Sequence, residues 1–258
     1  MRIISLAVDG IQQATEKGLF EWLASQDATL ICLQDLRTSA YKLEECQDYV
    51  LDGYFSYFLD APDATKNGVA IYTREMPKAI MYGFGASNGE DMEGRYLQAD
   101  FERISICSLL APEAIAGTSS QETKDRFFRD LLGHLTKISH KRRDYFFCGN
   151  WNIAHREADV SEPAACEALS GFLPHERQTL GQLYNAIGYA DAFRLFNSDR
   201  DEFTFWPSGE IGKGCGWRTD LQLISNNLRH SVEYAVTYKA KSFSSHLPVI
   251  IDYDIESL

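Results

Sequence analysis

Strand-length apolar runs recur in both halves of this chain with helical stretches between them. That alternation limits the fold more than any single motif does. Residues 2–8 read as a strand ended by Asp9-Gly10. Residues 12–26 carry Leu19, Phe20, Trp22 and Leu23 at near-helical spacing, and residues 29–33 form a second apolar run. Strand, helix and strand in that order predict a βαβ-like opening. Strands are also expected over 68–73, 76–82, 96–101, 104–110, 203–206, 221–224, 231–236 and 249–253. Pro77 places the second of these at an edge or bulge. Residues 112–123, small and polar, read as a loop, and 125–138 as a helix with Phe127, Phe128, Leu131, Leu132 and Leu135 on one face. Residues 157–170 read as acidic and irregular, and 177–187 as a helix stopped by Gly188. No linker, repeat or composition shift divides the 258 residues, so one domain over 1–258 is expected. Its layers are expected to be two sheets packed face to face with helices outside.

No apolar run approaches the length that spans a bilayer. The opening Met1-Arg2-Ile3-Ile4-Ser5-Leu6 reads as a strand rather than a signal peptide, which points to the cytoplasm. Six cysteines, none in CxxC spacing, read as reduced thiols used as small hydrophobes. The net charge of −12 opposes phosphate at long range unless basic groups concentrate on one surface or cations intervene. One such concentration is Lys141-Arg142-Arg143, close behind Lys137 and His140. It is a candidate RNA or partner surface, with Arg156 and Arg229 as second candidates, and otherwise a solvated helix end.

The stretch Tyr145-Phe146-Phe147-Cys148-Gly149-Asn150-Trp151-Asn152 places two carboxamides at i and i+2, on one face at a strand end. It resembles the Gly-Asp-x-Asn motif in the exonuclease III branch of the endonuclease/exonuclease/phosphatase family. The resemblance extends in order through Leu33-Gln34-Asp35, Gly68-Val69-Ala70, Gly94-Arg95-Tyr96, Gly216-Trp217-Arg218-Thr219-Asp220 and Ser244-Ser245-His246-Leu247-Pro248. It implies a four-layer α/β sandwich of the exonuclease III and deoxyribonuclease I type, with two packed mixed β-sheets flanked by helices. It also implies hydrolysis of phosphodiesters with Mg²⁺ or Mn²⁺, because active members use several carboxylates to hold a hard cation. Position by position, this chain departs from that pattern. Ala7, Leu110 and Ser245 stand where the family has asparagine, tyrosine and aspartate. Asp35 stands for the metal-binding glutamate and Asn150 for the base aspartate, while Asn152, Asp220 and His246 match.

An amide neither takes a proton from water nor carries charge to a cation at pH 7. The resemblance narrowed by these losses points to the branch of catabolite repression control proteins, non-catalytic relatives that act with the RNA chaperone Hfq on A-rich mRNA. Two expectations follow. In the first, the chain is a translational co-repressor in carbon catabolite repression with no cofactor. Its vestigial pocket of Asp35, Asn150, Asn152, Asp220 and His246 would bind no metal, and it would bind little RNA alone. In the second, it is an exonuclease III-type DNA-repair exonuclease or AP endonuclease with a divergent, Mg²⁺-dependent centre in which Asp35 holds the metal. Asp220 with His246 also reads as a structural hydrogen bond between strand ends, and Asn150 with Asn152 as amides that satisfy loop backbone.

Overall fold

The computed structural model describes residues 1–256 and 258. Its first half opens with β1 (Arg2–Ala7), α1 (Ile11–Glu16), α2 (Leu19–Ser25), β2 (Leu30–Gln34), α3 (Ala40–Glu45), β3 (Phe55–Leu59), β4 (Val69–Thr73) and β5 (Ala79–Tyr82). Next come β6 (Tyr96–Asp100), β7 (Ile104–Leu110), α4 (Ser119–Ser139), β8 (Asp144–Asn150), α5 (Pro163–Cys166), α6 (Pro174–Gln182), β9 (Tyr189–Asp191) and α7 (Ala192–Phe196). β10 (Asp220–Ser225), β11 (Val232–Thr237) and β12 (Val249–Tyr253) complete the order. One six-stranded sheet runs β11-β12-β1-β2-β4-β3 and the other β5-β6-β7-β8-β10-β9. Both are mixed. β1 and β2 are parallel, as the βαβ opening predicts, and so are β7 and β8.

Alternation along each strand assigns its two faces. Ile3, Leu30, Cys32, Val69 and Ile71 of one sheet meet Leu97, Ala99, Ile106, Phe146 and Cys148 of the other in a central core. Ile4, Leu6, Ile31 and Leu33 face outward beneath Leu19, Phe20, Trp22 and Leu23. Cys107, Leu109, Tyr145 and Phe147 face outward beneath Phe127, Phe128, Leu131 and Leu135 of α4. The layers are therefore helix, sheet, sheet, helix. A few buried polar bridges cross between the sheets. Gln34 Nε2 donates to Ser108 Oγ at 2.9 Å, and Gln222 Nε2 reaches the carbonyls of Ile3 and Val249 at 3.3 Å each. At one end the sheets meet through backbone. Gly68 N donates to Gly94 O at 3.0 Å, and a Cβ on Gly94 would lie 2.7 Å from Gly68 N.

Several segments differ from the sequence reading. The helix expected over 12–26 is two helices, because the chain turns at Gly18 with φ of 82°. α4 begins at Ser119, inside the expected loop. The expected helix over 177–187 begins at Pro174 and ends in a wider π turn before Gly188. The strand expected over 203–206 is reduced to isolated bridges from Phe205 to Trp217 and His246. β3, β9, α3, α5 and α7 lie outside the elements expected from the sequence. Among the described residues no helix is long and apolar enough to cross a membrane.

Candidate active site

Strand direction gathers the polar groups at one end of both sheets. β1, β2, β7 and β8 finish there, while β4, β10 and β12 start there. Asn150 closes β8 and Asp220 opens β10, and the two are direct partners in the antiparallel register. His246 arrives on the loop before β12, and its Nδ1 meets Asp220 Oδ2 at 2.8 Å. Both are buried, at 4 % and 1 % exposure. Phe205 stacks on the imidazole with ring centroids 4.4 Å apart. Thr204 Oγ1 accepts the Thr219 and Asp220 amides at 3.2 Å each, which sets the start of β10. Burial alone would lower the His246 pKa. The Asp220 carboxylate, with Asp9 and Asp35 beyond it, overcomes that and raises it above the ordinary imidazole value.

The two asparagines satisfy loop backbone groups. Asn150 Oδ1 accepts the Asn152 amide at 2.9 Å, and Asn152 Nδ2 donates to Ala111 O at 2.7 Å. Asn152 takes φ of 50°, and its carbonyl accepts Lys124 Nζ at 2.8 Å. Lys124, on α4, is buried against Glu176 at 2.7 Å. A helix on the outer layer thereby holds the carboxamide turn. Asn150 Nδ2 has no protein partner among the described residues.

Asp35 lies just past β2 with φ of 59°. Both its oxygens are engaged by Arg37, at 2.6 and 3.1 Å. Arg37 also lies 3.8 Å from Asp9 Oδ1, and Asp9 Oδ2 accepts the amide and hydroxyl of Ser245. A guanidinium thus stands between two carboxylates, and Ser245 is tied to one of them. Ala7 brings only its carbonyl, which accepts Ser244 Oγ at 2.6 Å. Beside Asp35 lies a cavity of about 380 Å³ whose wall includes Arg37, Lys66, Asn67, Arg95 and Leu110. Asp9, Arg37, Lys66 and Arg95 were not singled out in the sequence as site residues. The charge of Asp9 beside Gly10 was legible, but its approach to Ser245 across the sheet was not.

The donor set does not fit a resident divalent cation. Such an ion takes several oxygen ligands free to turn toward it. Asp35 is chelated by Arg37 and Asp9 is held by Ser245, while Asp220 gives Oδ2 to His246 and leaves a single oxygen, the buried Oδ1, without a partner among the described residues. Among the described residues no three His, Cys, Asp or Glu side chains converge as ligands.

The other candidate residues lie apart from this end. Lys141, Arg142 and Arg143 precede β8, roughly 20 Å from Asn150 at about 3.3 Å per residue. Lys141 and Arg142 are exposed. Arg143 folds back to donate to the carbonyls of Phe101, Ile104 and Glu102. Arg156 and Arg229 line a separate cavity of about 360 Å³ with Tyr184 and Arg194.

Behind β10 lies a buried ion cluster. Asp159 Oδ1 accepts Arg218 Nε at 2.8 Å and Arg194 Nη2 at 2.7 Å, and Arg218 Nη2 donates to Asp191 at 2.6 Å. Burial would raise the Asp159 carboxyl, but the two guanidiniums hold it well below the usual range.

The profile of the Endonuclease/Exonuclease/phosphatase family matches residues 10–244. The chain belongs to that family. It is similar to the exodeoxyribonuclease of Bacillus subtilis, 28 % identical over 96 % of this chain and 98 % of the other. It is 27 % identical to a DNA-(apurinic or apyrimidinic site) endonuclease of Dictyostelium discoideum over 99 % of this chain and 71 % of that protein. In fold it matches an AP endonuclease from Archaeoglobus fulgidus with a TM-score of 0.89, at 22 % identity over 99 % of this chain and all of that one. These names correct the first expectation above. These relatives are named as DNA nucleases, and none of these names points to carbon catabolite repression, a translational co-repressor, Hfq or a pseudoenzyme. That expectation weighed the lost carboxylates above the family pattern, and the relatives favour the nuclease reading over it.

Proposed function

We propose that this chain is a DNA phosphoester hydrolase of the exonuclease III type with a divergent centre. The observation that carries the proposal is the buried Asp220–His246 pair set directly against Asn150 at the strand ends. Its relatives are named as an exodeoxyribonuclease and an AP endonuclease, which supports DNA as the substrate class. Asp220 fixes the ring and stabilises its protonated form. Protonated His246 and Asn150 Nδ2 are the donors that would stabilise charge building on the phosphoryl oxygens. Arg37, Lys66 and Arg95 line the neighbouring cavity with Asp35 and Glu113, and each is paired with a carboxylate, of Asp35, Asp63 and Glu90, that a flanking phosphate would have to replace. In place of the base aspartate stands an amide, so the reaction is slow for this family.

The assay is cleavage of duplex DNA carrying an abasic site. His246→Ala is expected to lower the rate by about 10²-fold or more. Activity should fall as pH rises through the raised His246 pKa, because the donor is the protonated ring. Asp220→Asn should move that fall to lower pH. Cleavage that the wild type performs no faster than His246→Ala would overturn the proposal.

The engaged carboxylates bear on the cation as well. Calorimetry is expected to find Mg²⁺ binding no tighter than about 10⁻³ M. Stoichiometric micromolar binding would show that Arg37 swings away from Asp35.

A further inference from the structure

Cys166 ends α5 and is buried, whereas Cys215 lies half-buried on the loop that leads into Trp217 and β10. They are 49 residues apart in sequence, yet their sulfurs are 3.2 Å apart as free thiols. Four contacts tie the Cys215 loop to Val160 and Ser161, the segment that leads into α5. Ser161 N donates to Gly216 O at 2.9 Å, and Gly216 N donates to Ser161 Oγ at 2.9 Å. Ser161 Oγ also donates to Cys215 Sγ at 3.4 Å. Val160 and Trp217 form an antiparallel bridge beside them. The two chain segments are thus already held in register. A disulfide bond of about 2.05 Å requires the sulfurs to close by only about 1.2 Å.

We propose that Cys166 and Cys215 are a redox pair that closes to an intramolecular disulfide when the protein meets a hydroperoxide. Burial pushes the Cys166 thiol up to about 12, so it stays protonated, and half-buried Cys215 is the group that meets the oxidant. Cys215 Sγ takes one peroxide oxygen and gives up its own proton. An S–O bond forms, the O–O bond breaks, and the alcohol leaves with a proton. The Cys166 sulfur then attacks the Cys215 sulfur. The S–O bond breaks, and hydroxide departs with the Cys166 proton as water. The two thiols together lose two electrons and two protons, and the peroxide is reduced to alcohol and water. A thiol reductant reverses the step by exchange. Cys32, Cys107 and Cys148 lie wholly within the packed core and take no part. The inference does not depend on the hydrolase reading, because the pair touches neither His246 nor Asn150.

The test treats the full chain with hydrogen peroxide, digests it without reductant and identifies linked peptides by mass spectrometry. The expected product joins the Cys166 and Cys215 peptides, is two hydrogens lighter than their sum, and disappears with dithiothreitol. It is absent from Cys166→Ala and Cys215→Ser. In Cys166→Ala, dimedone should trap a sulfenic acid at Cys215. Circular dichroism matching the wild type keeps the variants interpretable. Cys46 is the other incompletely buried cysteine and serves as the internal control. The proposal is overturned if Cys46 is oxidised while the pair stays reduced, if Cys215 passes to the sulfinic acid unlinked, or if Cys215 links only between chains.

Discussion

Asp159→Ala is expected to destabilise the fold by about 3–5 kcal/mol, seen as a lowered urea midpoint with an unchanged slope. Asp159 is fully buried and serves two guanidiniums, those of Arg218 and Arg194. Its second oxygen accepts the Arg156 amide at 2.9 Å. Removing the carboxylate leaves Arg218, itself 1 % exposed, with Asp191 as its only ion-pair partner among the described residues. An unbalanced buried charge costs far more than a surface pair contributes. The loss is large beside a typical total stability of roughly 5–15 kcal/mol. The same cluster sets a pH limit. The folded-state pKa of Asp159 is depressed, so its stabilisation is present above the unfolded aspartate value of about 3.9 and lost as pH falls below it. Acid unfolding of the wild type should begin in that range, and the alanine variant should lack that component. A variant whose midpoint stays within about 0.5 kcal/mol of wild type would show that water replaces the carboxylate.

Gly149→Ala is expected to cost about 3 kcal/mol or more and to abolish DNA cleavage together. A Cβ at Gly149 would stand 1.9 Å from Leu109 O, and that oxygen belongs to the backbone of the neighbouring parallel strand. No side-chain rotation relieves this. β7 and β8 must separate at the step before Asn150. Leu110 and Asn150 would move with them, and so would the bond from Ala111 N to Asn150 O, now 2.9 Å. Thermal melting and the abasic-site assay read the two effects separately. Gly133, inside α4, has no neighbour within 4 Å of an added Cβ, so Gly133→Ala is the control that should leave cleavage unchanged and raise stability by up to about 1 kcal/mol.

Much of the architecture was legible because burial writes alternation into strands and a periodic apolar face into α4. β7 and β12 fall on the expected residues, and β1, β2, β4, β6, β10 and β11 within a residue or two at each end. α3, α5 and α7 are too short to show a period, and β3 is half-exposed, which weakens its pattern. Of the site, Asn150, Asn152, Asp220 and His246 were placed by motif spacing, and the structure brings them to the same strand ends. Arg37 was not. Its importance comes from bridging Asp35 to Asp9 across adjacent strand ends, a relation that sequence distance does not encode. Asp159 lay in a segment read only as acidic and irregular, where nothing in local composition announces two buried arginine partners.

At Gly94, backbone leading into one sheet rests on backbone leading into the other. Side chains can rotate to widen a cleft, but two main chains already touching leave no slack to take up. The spacing of the walls on either side of Asp35 is therefore set before any ligand arrives. If the proposed hydrolase reading holds, a nucleic acid entering such a rigid gauge would have to supply the deformation itself. Duplexes already weakened at a missing base or a frayed end would enter at lower cost than intact ones. Discrimination between damaged and sound DNA would then arise from the ligand's own stiffness, with no base read directly.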